Sequence, residues 1–255
     1  MGCRSRSVPS DRARGGEGPV ASERAVYMTE ALLEIDNSYD ILSYLTQPER
    51  LEVLAQGTPR DCAAGRHAFV QGEPHEGIYL IHAGRVRNYY VSPSGREIIL
   101  AYWTSGHFIG GPEIFGGGRH VWSAMALEDC SLTFLAADKL KRLALKIPNL
   151  AIGLVQGLVF KGKCYSALLQ ILATQPATGR LAHLLLTLAQ REGALQRTPM
   201  VLGRRITHDE LANMVGATRQ WVTASLQRFR KMGCIALDRE RIVILDKAKL
   251  RQVYD

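Results

Sequence analysis

Hydrophobic and polar positions change period twice along this chain. Between about Ile41 and Ala136 the apolar residues come in short runs: Ile78-Tyr79-Leu80-Ile81, Val86 to Val91, Ile98 to Trp103 and Ser131 to Leu135. Glycines at 57, 65, 72, 77, 84, 95, 106 and 116–118 separate them. Ser92-Pro93-Ser94-Gly95 reads as a tight connection between two runs, with Gly95 at the left-handed position that a side chain resists. Many short strands at this spacing predict an antiparallel barrel or jelly roll.

From Pro148 the period becomes helical. Ala151, Val155, Leu158, Gly162, Tyr165, Leu169 and Leu172 follow at alternating steps of four and three, the heptad seam of a two-stranded coiled coil. A helix lying on its own domain has the same signature. Leu154, Val159 and Leu168 widen the apolar face enough to serve both. Gly162 weakens the helix by roughly 1 kcal/mol relative to Ala, and a small residue there lets a partner helix or a ligand approach.

Gln175-Pro176 breaks the helix, and the next begins near Thr178 with Leu181, Leu184, Leu185 and Leu188 on one face. Thr207 and Glu210 have the spacing of a capping box, which opens a helix at Thr207. Val215-Gly216-Ala217 makes a short turn, and Thr218 caps a helix running from Arg219 to about Met232. Val222, Leu226 and Phe229 form its buried face and leave Arg219, Gln220, Thr223 and Gln227 outside. This is a helix-turn-helix layout, whose second helix enters the major groove of DNA. Ile235 to Leu237 and Ile242 to Leu245, joined through residues 238–241, read as a wing hairpin. The fold class is therefore α+β. It comprises an arm over residues 1–27, a β-barrel domain over 28–147, a dimerisation helix over 148–176 and a winged helix-turn-helix over 177–255.

Charge sharpens this division. Residues 177–255 carry fourteen Lys and Arg against seven Asp and Glu, which is most of the net charge of +8. A basic segment beside a near-neutral one indicates a polyanion as partner of the basic part. The five cysteines, Cys3, Cys62, Cys130, Cys164 and Cys234, show no metal-ligand spacing, which suits a reducing cytoplasm and argues against a disulfide framework. No apolar run reaches the roughly 18 residues of a membrane span. The first 27 residues are rich in Arg, Gly, Ser and Pro, read as a disordered arm, and are followed by a second candidate start at Met28. No His-x-His, nucleophile triad or phosphate loop points to an enzyme such as a cupin.

Three segments resemble the CRP/FNR family of bacterial regulators: residues 206–219, Gly106-His-Phe-Ile-Gly110 followed by Trp122-Ser-Ala124, and Ala177-Thr-Gly-Arg180. The resemblance runs from about residue 38 to the end. It implies a cyclic-nucleotide-binding-type barrel, a homodimer, a palindromic promoter site and RNA polymerase as a partner. It also implies DNA contacts from Thr207, His208, Thr218, Arg219, Gln220, Thr223 and the wing residues Arg239 and Arg241.

The chain departs from the cyclic-AMP-binding pattern where it matters. Gly111 stands where those members hold a ribose with Glu, and Trp122 stands where they hold the phosphate with Arg. Arg119 and His120 are the neighbouring groups that could substitute. Tyr165-Ser166 falls at the adenine contact, where the family has two small hydroxyl residues. An iron–sulfur cluster lacks its N-terminal cysteines, and the haem-ligand positions of the carbon-monoxide sensor are Gly110 and Pro112. Another haem or redox mode stays open, with His107 and His120 nearby. The aromatic residues that remain favour a small apolar or aromatic effector, with Tyr89, Tyr90, Tyr102, Trp103, Gly110, Gly111, Trp122, Ser123, Met125 and Tyr165 as the pocket. The alternative is that these rings simply fill the barrel.

Overall fold

The computed structural model of the chain describes residues 39–191, 200–202, 206–238 and 241–253. The expected N-terminal arm and Arg239 lie outside the described residues.

Eight strands build the first domain: β1 (Thr58–Cys62), β2 (His67–Phe69), β3 (Gly77–Ala83), β4 (Val86–Val91), β5 (Glu97–Trp103), β6 (Phe108–Ile109), β7 (Ser123–Ala126) and β8 (Cys130–Ala136). They form two antiparallel sheets, β1-β8-β3-β6 and β2-β7-β4-β5. Inward residues of both sheets share one core: Ile81 and Leu132 from the first, Val86, Ala101, Trp103, Ala124 and Ala126 from the second. The expected jelly roll is therefore present. Gly95 turns β4 into β5 at φ +79°, with its N–H donated to the Ser92 carbonyl at 2.8 Å.

The chain before β1 departs from the strand-like reading. Helix α1 (Gln47–Gln56) starts at a capping box between Thr46 and Glu49, with Pro48 in its first turn. Another helix, α2 (Ala137–Lys146), leads through Ile147 to α3 (Pro148–Thr174). The segment from Tyr39 to Tyr44 lies directly on α3. Two glycines permit this: a Cβ on Gly157 would sit 2.4 Å from both Phe108 and the Tyr39 hydroxyl, and one on Gly153 would crowd Ile41. The Tyr39 hydroxyl donates to the Gly153 carbonyl at 2.9 Å.

Helix α3 uses its two sides differently, and the expected seam is displaced at alternate positions. Val155, Gly162 and Leu169 are exposed. Leu158, Tyr165 and Leu172, however, pack against the helix-covered core, the barrel core and the C-terminal core respectively, and Ala151 is half-buried. The uncovered apolar stripe is instead Ile152, Val155, Val159 and Leu169, which are 51, 56, 46 and 67% exposed. Gly162 and Ser166 complete its steps of three and four.

The C-terminal domain contains α4 (Ala177–Arg191), β9 (Met200–Val201), α5 (His208–Val215), α6 (Arg219–Lys231), β10 (Ile235–Asp238), β11 (Arg241–Ile244) and α7 (Lys247–Arg251). The wing hairpin pairs Ile235 with Ile244 and Asp238 with Arg241. Strand β9 adds a third strand on β11, which the sequence pattern did not show. Leu181, Leu184, Leu185 and Leu188 join Leu211, Val222, Leu226 and Phe229 in one core. Ile99 and Tyr102, on the outer face of β5, reach into that same core.

Candidate nucleic-acid interface and sensor cluster

Local chemistry fixes both helices of the helix-turn-helix. At the start of α5 the Thr207 hydroxyl accepts the Glu210 N–H, and the Glu210 carboxylate accepts the Thr207 N–H at 2.7 Å. This box satisfies two of the unpaired amides at a helix start. Gly216 ends α5 at φ +65°. Thr218 then caps α6 by accepting the Trp221 N–H at 3.2 Å. The Thr223 hydroxyl donates to the Arg219 carbonyl at 3.0 Å, which leaves its oxygen to accept from His208 Nδ1 at 2.8 Å. His208 and Thr223, both expected at the DNA, thus also hold α5 against α6.

Val222, Leu226 and Phe229 bury one side of α6. Arg219, Gln220, Ala224, Gln227, Arg228 and Lys231 are exposed on the remainder. Arg219 lies 3.6 Å from Asp209, an exposed pair whose attraction is small and screened. Thr218 and Thr207 are exposed at the same edge, and Arg241 is exposed on the wing.

Two arginines bracket the turn between the helices. Buried Arg180 donates through Nε to the Val215 carbonyl at 2.8 Å and through Nη1 to the Gln175 carbonyl at 2.7 Å. Arg96, from the β4–β5 hairpin of the first domain, donates to the Gly216 carbonyl. The last carbonyls of α5 are unpaired within the helix and carry its negative end, so cations are favoured there. Burial and the neighbouring Arg96 both pull the Arg180 guanidinium below its ordinary pKa.

Of the ten expected sensor residues, those in β4, β5 and β7 divide between the two faces of their sheet. Asn88, Ala124 and Ala126 face the barrel interior, so alternation turns Ser123 and Met125 outward. Tyr89 shares that outer face with Arg87, which lies 4.6 Å above its ring, and bonds His67 at 2.7 Å. Tyr102 packs against the C-terminal core. Tyr89, Tyr102, Ser123 and Met125 are therefore not part of an interior pocket.

Trp103, Trp122, Tyr165, Gly110 and Gly111 do gather between the barrel and α3. The Tyr165 ring lies 5.8 Å from Trp122 and 6.5 Å from Trp103. Trp122 Nε1 donates to the Gly110 carbonyl at 3.1 Å. Asn88, oriented to satisfy its neighbours, accepts from both indoles at 3.1 and 3.2 Å. Burial raises the Tyr165 phenol above its ordinary pKa, and the adjacent Cys164 adds to this.

Gly111 cannot become the glutamate of the nucleotide binders without displacing His75. A Cβ there would stand 2.6 Å from the imidazole, and His75 Nε2 already accepts the Gly111 N–H at 2.5 Å. Neither candidate for the missing phosphate ligand is suited to the role. Arg119 donates to the Gly72 carbonyl at 2.6 Å. His120 is held near pKa 4 by burial and by His75, so it carries no charge near neutral pH. His107 is buried among Tyr39, Trp103 and Phe160, and its Nδ1 lies 3.1 Å from the Thr104 carbonyl.

Lys161 is the member of the cluster that residue type did not reveal. Its ammonium lies 3.6 Å above the Trp103 ring and donates to the Phe108 carbonyl at 2.7 Å. Burial lowers its pKa to about 7. Its signal was positional, because it sits between core residues Gly157 and Cys164 of α3. Among the described residues no three His, Cys, Asp or Glu side chains converge as a metal site.

Comparison with known proteins agrees with this architecture. A cyclic nucleotide-binding domain model matches residues 59–146, and a Crp-like helix-turn-helix domain model matches residues 179–253. A CRP-like cAMP-activated global transcriptional regulator of Mycobacterium tuberculosis is 28% identical over 205 residues, 80% of this chain and 92% of its own. The fumarate and nitrate reduction regulatory protein of Escherichia coli is 26% identical over 189 residues, 74% of this chain and 75% of its own. Among solved structures, a CRP/FNR-family transcriptional regulator from Thermus thermophilus superposes with a TM-score of 0.57 at 29% identity, covering 77% of this chain and 97% of that one. The c-di-GMP-responsive regulator CLP of Xanthomonas campestris reaches a TM-score of 0.70 at 19% identity, over 79% of this chain and all of that one, and shows the shared fold. Two domain matches in this order, with relatives along most of the length, give one assignment: the chain belongs to the CRP/FNR family of transcription regulators, with a sensory domain and a helix-turn-helix DNA-binding domain.

Proposed function

We propose that the chain acts as a homodimer on a palindromic promoter site, and that a small apolar or aromatic ligand at the Trp122–Tyr165 cluster sets its DNA affinity. The observation that carries the DNA reading is the exposed side of α6. Arg219 and Gln220 stand in its first turn, and Arg228 and Lys231 follow on the exposed surface. A helix presented this way places its N-terminal side chains at base edges, while basic groups farther along and Arg241 on the wing meet phosphates. The stripe from Ile152 to Leu169 fits a second α3, and two such chains would place recognition helices about 34 Å apart, one turn of duplex.

The ligand class follows from the chemistry of the cluster. Trp122 and Tyr165 offer ring surface beside Trp103, His75 occupies the space beside Gly111, and the Lys161 ammonium lies over the Trp103 ring. RNA polymerase as the partner of the DNA-bound dimer and a cytoplasmic location belong to the same reading.

Tryptophan emission tests it. Simple phenols and benzoates titrated into the full-length protein are expected to quench Trp122 and to shift the anisotropy of a labelled operator selected with the same protein. In Tyr165→Ala the ligand is expected to lose its effect on operator binding. A compound that acts equally on both proteins would place the receptor site elsewhere.

A further inference from the structure

The barrel has a surface cleft lined by none of the cluster residues. A cleft of about 270 Å³ lies beside the β2–β3 connection and the ends of β3 and β8. Four aromatic rings line it. His120 lies parallel to Phe69 at 3.9 Å, and the Tyr79 ring is 4.9 Å from Phe134 and 6.1 Å from Phe69. Glu73 and Glu76 complete the lining, both exposed and neither ion-paired with a described residue.

The polar groups here are mostly acceptors. Two carboxylates lie at the lining, and His120 Nδ1 is buried without a partner among the described residues. The low pKa of His120 keeps this wall uncharged. Arg60 on β1 is the basic group that acts on the Tyr79 phenol, and it is exposed to solvent. Ring faces attract cations through their quadrupole, and the attraction grows as the cation is desolvated. The carboxylates add net negative charge. The volume is below the roughly 300 Å³ at which drug-sized sites begin, so the occupant is small.

We propose that this cleft binds a small organic ammonium ion, independently of the ligand at the Trp122–Tyr165 cluster. Calorimetric titration of the full-length protein with choline and with its uncharged isostere 3,3-dimethylbutan-1-ol tests the idea. Choline is expected to bind about tenfold more tightly than the isostere, and to weaken about tenfold in Glu73→Gln/Glu76→Gln. Both replaced side chains are exposed, and an unchanged thermal midpoint checks that the variant is folded. Equal binding of the two probes, no heat from choline at millimolar concentration, or choline binding indifferent to the double substitution would each overturn the proposal.

Discussion

The imidazole of His208 and the hydroxyl of Thr223 join the first helix of the DNA-binding motif to the second across 2.8 Å. The bond holds α6 against α5 beside the core that Leu211, Val215, Val222 and Leu226 share. Thr223→Val keeps the shape of the side chain and removes the hydroxyl. It is expected to cost about 1 kcal/mol of stability and to weaken operator binding while the preferred sequence stays the same. Urea unfolding and binding selection check both parts. A changed motif would mean that Thr223 reads a base directly.

The displaced stripe on α3 separates two substitutions that the heptad pattern treats alike. Leu169→Asp places a charge on an exposed surface of the single chain. It is expected to give folded monomers, because a dimer would bury two like charges against each other. Leu158→Asp puts the charge against the core around Ile41 and Leu154. That variant is expected to unfold, or to lose several kcal/mol. Light scattering and circular dichroism distinguish the two. A stable dimer of Leu169→Asp would move the interface off this stripe.

Arg219 is expected to bond a guanine through O6 and N7, one per half-site. Gln220 both donates and accepts, so its position is expected to tolerate adenine where a carboxylate would prefer cytosine. Ala224 can offer only its methyl to a thymine. Selection with wild type and Arg219→Ala is expected to show relaxed preference at one symmetric pair of positions and a loss of about 1–3 kcal/mol per half-site. A uniform loss over all sequences would make Arg219 a phosphate contact.

Acid is expected to weaken the barrel through His120. Its folded pKa of about 4 lies below the ordinary value of 6.5, so between these two values the unfolded chain takes up a proton that the native one refuses. Stability is then undiminished above pH 6.5 and falls as the pH drops toward 4. His75, also lowered by burial, acts in the same direction, while Glu73 favours a charged His120 and Glu113 a charged His75. His120→Phe is expected to flatten the fall in urea midpoint between pH 7.5 and pH 5. The same slope in both proteins would assign the effect to other groups.

Sequence periodicity located the strands and the recognition motif because each rests on local rules. The runs at 78–81 and 86–91 lie within β3 and β4, and the caps at Thr207 and Thr218 mark where α5 and α6 begin. Helix α1 escaped because only Val53 is fully buried on it, which leaves no apolar stripe to detect. Its Thr46–Glu49 box is the local signal that marks its start. Residue type alone does not tell which sensor residues share a face, whereas strand phase does. In β7, Ser123 and Met125 alternate with Ala124 and Ala126, and alternation alone would have separated them. In β5 an extra residue at Leu100, opposite Asn88 and Tyr89, shifts the phase and puts Ile99 on the outer face with Tyr102. The roles of His75 and Lys161 depend on contacts between distant parts of the chain, which periodicity does not encode.

Tyr165 and Ser166 are consecutive on α3, yet one faces the aromatic cluster and the other the uncovered stripe. On a helix, neighbours point about 100° apart. Between Pro148 and Thr174 the helix contains no proline to act as a joint. It therefore resembles a camshaft between Tyr165 and Leu169, which no glycine separates: a small roll that relieves pressure on the one turns the other through the same angle. Where two such shafts lie together, neither can roll without re-meshing with the other, so what happens at one barrel would be felt at its twin before it reached either recognition helix.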